Sequence, residues 1–319
     1  MKNIYNENLH PFNSLNLYGH KDLFNNLINL YNNQNFPKVL LLSGAKGSGK
    51  LTLVFHAINY FFSINSEFLY DVNNFKINEN NNFYKNLNTN IDQNFFYYDI
   101  EQKKIGIEEI RSLKNKLNKA PLNSTNRFII IDDADQLNEN TSNALLKTIE
   151  EPSSLNYFIL IDNKKGNLIE TIRSRCLELK VFLNELKINE ITQNLFELHK
   201  VKLPDYLLDN LRDATPGFLI KYSFYTKDLD FKFTDSTDII GKIFLDSFRK
   251  NKDYFYIDCF KFLLNLKMKK TINKNNSNII SLLYENSKIL DLLNKIDKIP
   301  ISNNSLLNTI RTYSGNVGK

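Results

Sequence analysis

Three features of the sequence predict an α/β fold built on a parallel sheet. Strand-length apolar runs alternate with helical patterns over about the first 180 of the 319 residues. The runs at 39–42 and 128–131 are apolar without alternation, which is typical of strands buried on both faces. A glycine-rich turn follows the first run and leads directly into a helical pattern. We therefore expect a doubly wound sheet with helices on both of its faces.

The individual elements follow in the order that such a sheet requires. After the strand in PKVLLLSG, the segment KLTLVFHAINYFF carries apolar residues at helical spacing. Two more helices are predicted at 105–121 and 141–152, the latter capped by Thr141 or Asn140 and stopped by Pro152. Further strands are predicted at 95–100, 156–161 and 177–181, and a long surface loop is predicted at 71–94.

The pattern becomes helical after residue 182. Short helical segments punctuated by prolines fill 183–227, which we interpret as a small helical lid. Residues 228–319 are predicted to form an all-α domain with breaks at 273–278 and Pro300. The expected organisation is thus an α/β domain at 1–182, the lid, and the C-terminal helical domain.

Charge and hydropathy limit the classes of function. The formal net charge is +6, and residues 261–319 carry ten Lys or Arg against three Asp or Glu. This basic stretch suits contact with nucleic acid, and it suits a solvated lysine-rich surface equally well. No apolar run approaches the roughly 20 residues of a membrane span, and the first residues lack a signal-peptide pattern. We expect a cytoplasmic protein without a membrane partner.

Metal-binding side chains are few. The two cysteines, Cys176 and Cys259, are far apart in the sequence, and the four histidines are not clustered. A four-ligand zinc site is therefore not expected, nor is a disulfide in a cytoplasmic protein.

A phosphate loop is predicted between the first strand and its helix. GAKGSGKL at 44–51 has two glycines at P-loop spacing followed by Lys50, which would reach the terminal phosphates of ATP or ADP. Leu51 stands where a hydroxyl would hold Mg²⁺, and Thr52 brings a hydroxyl one residue late, about 100° around the helix. A plain structural turn is the alternative. The candidate nucleotide-binding residues are Gly44, Ala45, Lys46, Gly47, Ser48, Gly49, Lys50, Leu51 and Thr52.

Two acids end the strand at 128–131 and complete the candidate site. Asp132 could hold Mg²⁺ through water, and Asp133 stands where an ATPase needs a residue that polarises the attacking water. The alternative is a pair of acids that simply cap a strand end in solvent. Asp132 is thus the one candidate metal ligand, and both acids join the candidate nucleotide site.

Several motifs together resemble the AAA+ subunits of bacterial DNA polymerase III clamp loaders. The pair NALLKTIEEP followed by IRSRC is the most specific, and the likeness covers residues 15–180 well. The resemblance implies a RecA-like AAA+ module, a helical lid and a helical collar that joins subunits in a ring. The motifs, in order, are GAKGSGK, IGIEEIRSL, FIIIDDAD, TSNALLKTIEEPS and TIRSRC.

Departures from the family pattern make the chain resemble the delta-prime type. The motor subunits keep a P-loop hydroxyl, a glutamate after the strand acid, a polar sensor residue and an arginine in the lid. This sequence has Leu51, Asp133, Asp162 and Phe218 at those places. The resemblance implies a subunit with little or no ATPase of its own, which works with gamma- or tau-like and delta-like subunits, a sliding clamp and, indirectly, primed DNA.

Arg175 is the candidate catalytic residue that this resemblance implies. In the family, the arginine of SRC points at ATP held by the neighbouring subunit, where such a group stabilises charge on the transferred phosphoryl. Arg173 is interpreted as an ordinary ion-pairing residue, and Cys176 as a small packed residue.

Two other functions stay open at this point. One is an ATP-hydrolysing, gamma- or tau-like motor subunit of the same loader, which the four departures disfavour. The other is a free-standing P-loop nucleotide kinase, which does not explain the motifs NALLKTIEEP and IRSRC.

Overall fold

The structure is a computed structural model that describes residues 9–87, 94–100, 105–121, 125–274, 279–296 and 303–314. The chain divides into two compact units. The first comprises Met1–Lys200 with Leu211–Ile220, and the second Val201–Asn210 with Lys221–Lys319. The predicted three-domain division, with boundaries at 182 and 227, stays a prediction.

The first unit is built on a five-stranded parallel sheet, with strand order β2-β3-β4-β1-β5. The central pairing places Leu41 of β1 opposite Leu160 of β4. The strand order switches sides at β1, because β4 lies on one side of it and β5 on the other. In open α/β sheets, ligands bind at the carboxyl ends of the strands beside such a switch point. The strands are β1 Val39–Ser43, β2 Phe95–Asp99, β3 Arg127–Asp132, β4 Asn156–Asp162 and β5 Leu177–Lys180.

Helices cover both faces of this sheet. One face packs Leu40, Leu42 and Phe128 against the first two long helices, and the other packs Leu41 and Ile129 against helices later in the chain. Burial on both faces explains why the central strands are apolar without alternation. The helices of this unit are α1 Lys21–Asn32, α2 Lys50–Ser63, α3 Asn82–Asn86, α4 Ile107–Leu117, α5 Glu139–Ile149, α6 Glu170–Arg173 and α7 Glu185–His199, with 3₁₀ turns at Pro11–Asn13 and Ala134–Gln136.

The α/β prediction is confirmed, with two local corrections. The cap of α5 is Asn138, whose side chain accepts a hydrogen bond from the backbone N–H of Thr141 at 2.9 Å, so the predicted cap at Thr141 or Asn140 is wrong. The stretch 71–94 is not simply a surface loop, because it contains α3 and buries Ile77 and Phe83 in the core. Its many asparagines hid the few apolar residues that anchor it.

The second unit is helical. Helix α9 (Thr237–Asn251) packs against α10 (Phe255–Lys274) and α12 (Asn303–Ser314). Helix α11 (Ile279–Asn294) also packs against α10 and α12. Phe244 and Phe260 stack at the centre, with ring centroids 6.1 Å apart. The predicted breaks at 273–278 and Pro300 fall largely on residues outside the described ranges. The helices are α8 Pro216–Thr226, which runs from the first unit into the second, and α9 Thr237–Asn251, α10 Phe255–Lys274, α11 Ile279–Asn294 and α12 Asn303–Ser314, with a 3₁₀ segment at Asp205–Asp213. None of the described helices is long and apolar enough to cross a bilayer.

Candidate phosphate loop and arginine site

The loop between β1 and α2 depends on its glycines. Gly47 and Gly49 have φ angles of 80° and 88°, in the left-handed region where a side chain would be strained. Gly44 needs to be glycine for a different reason, because a Cβ there would overlap the carbonyl oxygen of Val181. The sequence therefore folds this turn as a tight loop at the N-terminus of α2, which is the geometry of a phosphate site.

Lys50 lies within the loop, and 3% of its surface is exposed. Its ammonium donates to the backbone oxygens of Gly44 at 2.8 Å and Ala45 at 2.7 Å. Burial lowers the pKa of Lys50 to about 8, although the nearby Asp132 acts to raise it. The predicted phosphate-binding lysine thus lies inside the loop. Its ammonium donates to two backbone carbonyl groups, and a bound phosphate would take their place as the acceptor.

A histidine braces the outer side of the loop. His20, 7% exposed, has its Nε2 2.6 Å from the backbone oxygen of Ser48. Because a carbonyl can only accept, Nε2 carries the proton and donates it. Burial lowers the pKa of His20, which favours the neutral ring. Nothing in the sequence pointed to this contact between positions 28 residues apart.

The segment before α8 also contacts the loop. The Thr215 hydroxyl donates to the backbone oxygen of Lys46 at 2.7 Å, and the Gly217 N–H donates to that of Gly47 at 3.0 Å. Gly217 approaches so closely that a Cβ there would lie 2.8 Å from the oxygen of Gly47. The TPG sequence at 215–217 therefore fixes one side of the phosphate loop.

Leu51 and Thr52 lie where the sequence suggested. Leu51 is 9% exposed and packs in the core cluster on one face of the sheet, so its side chain points away from a ligand in the loop. Thr52 is half-buried on the next position of α2. The hydroxyl position of the P-loop is thus filled by a core residue.

The two acids at the end of β3 are held by an asparagine and a lysine. The Asn163 amide donates to Asp132 Oδ1 at 3.0 Å and to Asp133 Oδ1 at 2.9 Å. Lys46 reaches across from the phosphate loop and pairs with Asp133 Oδ2 at 3.2 Å. Burial, with Asp133 beside it, raises the pKa of Asp132 to about 6. Burial acts in the same direction on Asp133, but Lys46 and Asn163 outweigh it and lower the pKa of Asp133.

Asn163 is the functional residue that sequence reasoning missed. The sequence pattern places the sensor at Asp162, but the next residue contacts both acids. Asp135 holds Asn163 in place, because its buried carboxylate accepts from the backbone N–H groups of Asn163 at 2.9 Å and Lys165 at 2.7 Å. A polar residue following β4 could have been recognised, since the carboxyl ends of adjacent parallel strands meet at one sheet edge.

This arrangement does not fit Mg²⁺. A P-loop metal needs a hydroxyl from α2 and free carboxylate oxygens, whereas Leu51 offers no oxygen. Asp132 Oδ1 already accepts from Asn163 and from the backbone N–H of Asp133 at 2.9 Å. Both oxygens of Asp133 are engaged with Asn163 and Lys46. Among the residues that the structure describes, no three His, Cys, Asp or Glu side chains are grouped as a metal site. The ammonium of Lys46 thus pairs with the acid next to Asp132, the predicted metal ligand.

Asp162 belongs to a separate ion-pair cluster. Its side chain is 2% exposed and pairs with Arg173 at 3.0 Å and with Lys164 at 2.8 Å. Arg173 also pairs with Glu178 at 2.9 Å, and Glu178 accepts from the Ser43 hydroxyl. Arg173 therefore connects the ends of β1, β4 and β5, which agrees with its interpretation as an ion-pairing residue.

Arg175 lies on the surface just after α6. Its guanidinium donates to the Thr171 backbone oxygen at 2.9 Å and pairs with Glu150 at 3.0 Å. The side chain of Arg175 is 40% exposed and that of Glu150 46% exposed. The neighbouring Cys176 is half-buried, and burial raises the pKa of its thiol to about 11, which suits a packed residue. Arg175 therefore lies on the surface, with its guanidinium open to solvent.

Comparison with known proteins identifies the family. A family model described as DNA polymerase III, delta subunit, matches residues 19–184. The chain belongs to this family. The matched stretch contains the phosphate loop, the acids of β3 and Arg175, so the resemblance to clamp-loader AAA+ subunits is confirmed at the level of the family.

Curated relatives are DNA polymerase III subunits of two kinds. A gamma subunit of Buchnera aphidicola subsp. Schizaphis graminum is 27% identical over 210 residues, or 63% of this chain and 50% of its own length. A delta-prime subunit of Buchnera aphidicola subsp. Baizongia pistaciae is 28% identical over 207 residues, or 60% of this chain and 61% of its own. The chain thus spans between half and about three fifths of the length of these two relatives. A solved gamma-subunit-related protein from Thermotoga maritima is similar over 91% of this chain and 99% of its own, at 16% identity and a TM-score of 0.49.

Proposed function

We propose that this chain is a delta-prime-like subunit of a DNA polymerase III clamp loader that hydrolyses little or no ATP and acts on a neighbour's ATP through Arg175. The observation that carries the proposal is the contrast between its two sites. The chain's own hydrolytic groups are occupied by internal contacts, while Arg175 is exposed and is held by the Thr171 backbone oxygen and the surface carboxylate of Glu150.

The internal contacts oppose hydrolysis in this chain. Asp133 would have to polarise water, but its carboxylate is paired with Lys46 and hydrogen-bonded to Asn163. A carboxylate with a lowered pKa that already holds a cation is a weak general base. Leu51 removes the hydroxyl that would organise a metal and phosphate together. Nucleotide binding through Lys50 stays compatible with these features.

The contacts of Arg175 suit action on a phosphate from outside. An ion pair between two half-exposed side chains contributes only about 0–1 kcal/mol, so Glu150 is easily displaced. The hydrogen bond to the Thr171 backbone oxygen remains, and it keeps the guanidinium of Arg175 beside α6. A triphosphate presented by a neighbouring subunit would then receive two N–H groups in the fork geometry that arginine offers.

Family membership supports the partners in this proposal. They are gamma- or tau-like and delta-like loader subunits, a sliding clamp and primed DNA. Because gamma subunits are among the relatives, a motor role is the second candidate, and it is favoured by an intact glycine loop with Lys50. The match to this family leaves a free-standing nucleotide kinase without support.

A basic groove supports a direct contact with DNA. A cavity of about 350 Å³ between α4 and α5 has apolar sides and three cations at its mouth. These are Lys114, Lys147 and Arg111, all exposed, and Arg111 also pairs with the exposed Glu108 on the same helix. Exposed cations on two adjacent helices can bind phosphates of a nucleic-acid backbone, and we include such a contact in the proposal. The other basic stretch, 266–276, lies partly outside the described residues.

The central experiment measures the ATPase of a reconstituted loader that contains Arg175→Ala, with clamp and primed DNA present. Loss of an arginine finger reduces turnover at the one site it serves by about 10³ or more, so total ATPase and clamp loading fall in part while assembly persists. Arg175→Lys does not rescue, because an ammonium lacks the planar fork.

A control is Arg311→Ala, since Arg311 is also an exposed arginine that pairs with a carboxylate, that of Asp238 at 3.0 Å. It should leave ATPase unchanged, as should Glu150→Gln. The isolated chain should turn over ATP far below about 1 s⁻¹. Turnover near that value would establish the motor role instead, and wild-type activity of an assembled Arg175→Ala loader would show that the arginine is only structural.

A further inference from the structure

The ion pair between Lys46 and Asp133 spans the place where a P-loop protein holds its metal. Lys46 is in the loop between Gly44 and Gly47, whereas Asp133 is at the end of β3, 87 positions later. The Asp133 side chain is 2% exposed, so its charge needs a close partner. Lys46 is the cation that supplies it, at 3.2 Å.

The ammonium of Lys46 is placed to contact a second anion as well. Its side chain is 41% exposed even though one side contacts Asp133. An ammonium has three N–H donors, and it extends from the same loop whose backbone would enclose a phosphate. A polyphosphate in the loop would therefore lie between Lys46 and Lys50, with the buried carboxylate behind Lys46.

The remaining metal-binding positions are closed in this chain. Leu51 is a core residue, and Asn163 uses its amide on both acids. The amide donates to both carboxylates and the ammonium pairs with Asp133, so both oxygens of Asp133 and Oδ1 of Asp132 have partners without a metal. The arrangement thus supplies Asp133 with a protein cation and engages both acids through Asn163, without a metal.

We propose that the ammonium of Lys46 takes the place of Mg²⁺ in this phosphate loop, so that the chain binds nucleoside di- and triphosphates through Lys46 and Lys50 without a divalent cation. This inference concerns the chain's own loop and does not depend on the role of Arg175 or on assembly into a loader. It predicts a nucleotide site that holds its ligand but cannot organise hydrolysis.

The test is binding of a fluorescent ADP analogue to the purified full chain, in excess EDTA and in excess Mg²⁺. We expect dissociation constants that agree within about twofold in the two conditions. Lys46→Met should weaken binding in EDTA on the order of tenfold, since a hydrogen bond to a charged group is lost. Lys38→Met is the control, because it removes the same charge at the amino end of β1, opposite the phosphate loop at its carboxyl end, and should leave the dissociation constant unchanged.

A second pair of variants separates the effect of Lys46 on the Mg²⁺ dependence of binding from the effect of Leu51. Leu51→Thr alone adds the missing hydroxyl while Lys46 still holds Asp133, so binding should stay independent of Mg²⁺. Lys46→Met combined with Leu51→Thr opens the site, and its binding should become at least about tenfold tighter with Mg²⁺ than with EDTA. Circular dichroism and thermal melting of each variant establish that it is folded.

Three results would overturn the proposal. They are absence of binding in EDTA, tightening of wild-type binding tenfold or more by Mg²⁺, and wild-type affinity of Lys46→Met in EDTA. None of these results bears on the Arg175 experiment, so the two proposals fail separately.

Discussion

Replacement of Arg173 by alanine should destabilise the first unit, because Arg173 neutralises a buried carboxylate. The Asp162 side chain is 2% exposed and receives Arg173 at 3.0 Å. On the other side of the guanidinium, Glu178 lies at 2.9 Å. The variant leaves Asp162 with one cation, Lys164, whose own side chain is 50% exposed.

The magnitude follows from these contacts. Removing one partner of a fully buried ion pair costs about 3–5 kcal/mol. Asp162 keeps the side chain and backbone N–H of Lys164, both at 2.8 Å, so the expected loss is smaller, about 2–3 kcal/mol. For a unit of roughly 200 residues this lowers Tm by about 4–12 °C. Adding Asp162→Asn removes the uncompensated charge and should recover roughly half of the loss.

The loss should also depend on pH in a defined direction. Burial acts to raise the pKa of Asp162, but the hydrogen bonds of Lys164 and Arg173 outweigh it and lower this pKa. A carboxyl with a lowered folded-state pKa contributes stability above its unfolded pKa of about 3.9 and loses it as pH falls through the folded value. The difference in stability between wild type and Arg173→Ala is therefore largest near neutral pH and narrows as pH falls below about 4.

Urea unfolding followed by far-UV circular dichroism, at neutral and acidic pH, measures this difference. Arg173→Lys is the conservative variant and should retain part of the stability, since it keeps the charge but can reach only one of the two carboxylates well. A change below about 0.5 kcal/mol for Arg173→Ala at neutral pH, or no response to Asp162→Asn, would refute the reasoning.

Three further predictions concern other parts of the molecule. Gly44→Ala should abolish nucleotide binding and lower Tm, because its Cβ would overlap the carbonyl of Val181; an unchanged melting curve would contradict this. Lys114→Ala with Lys147→Ala should weaken binding of the assembled loader to primed DNA and reduce its log–log salt slope by about 2, whereas an unchanged slope would exclude the groove as a phosphate site. Tyr222→Ala should destabilise the second unit by about 3–5 kcal/mol, since this side chain is fully buried, and it should leave ADP binding to the first unit intact in a fluorescence titration.

The sequence by itself determined the class of fold and the place of the candidate site. Apolar runs without alternation identified the strands that are buried on both faces, and the glycine spacing identified the loop at 44–50. These features can be recognised locally, because access to a positive φ is a property of the glycine itself, and a continuous apolar run marks a strand that has to be buried on both faces. For the same reason, Leu51 could be recognised as a missing hydroxyl from its position alone.

Only the tertiary structure decided which charges meet at that site. Lys46 and Asp133 are 87 positions apart, and Asn163 contacts Asp133 across 30 positions, so no local pattern connects them. The cap at Asn138 was missed because two adjacent polar residues offered equally good caps. Asp162 stands at the sensor position in the sequence pattern, but in the structure it pairs with Arg173. A buried carboxylate needs a cation beside it, and the packing of β4 against α6 brings Arg173 there.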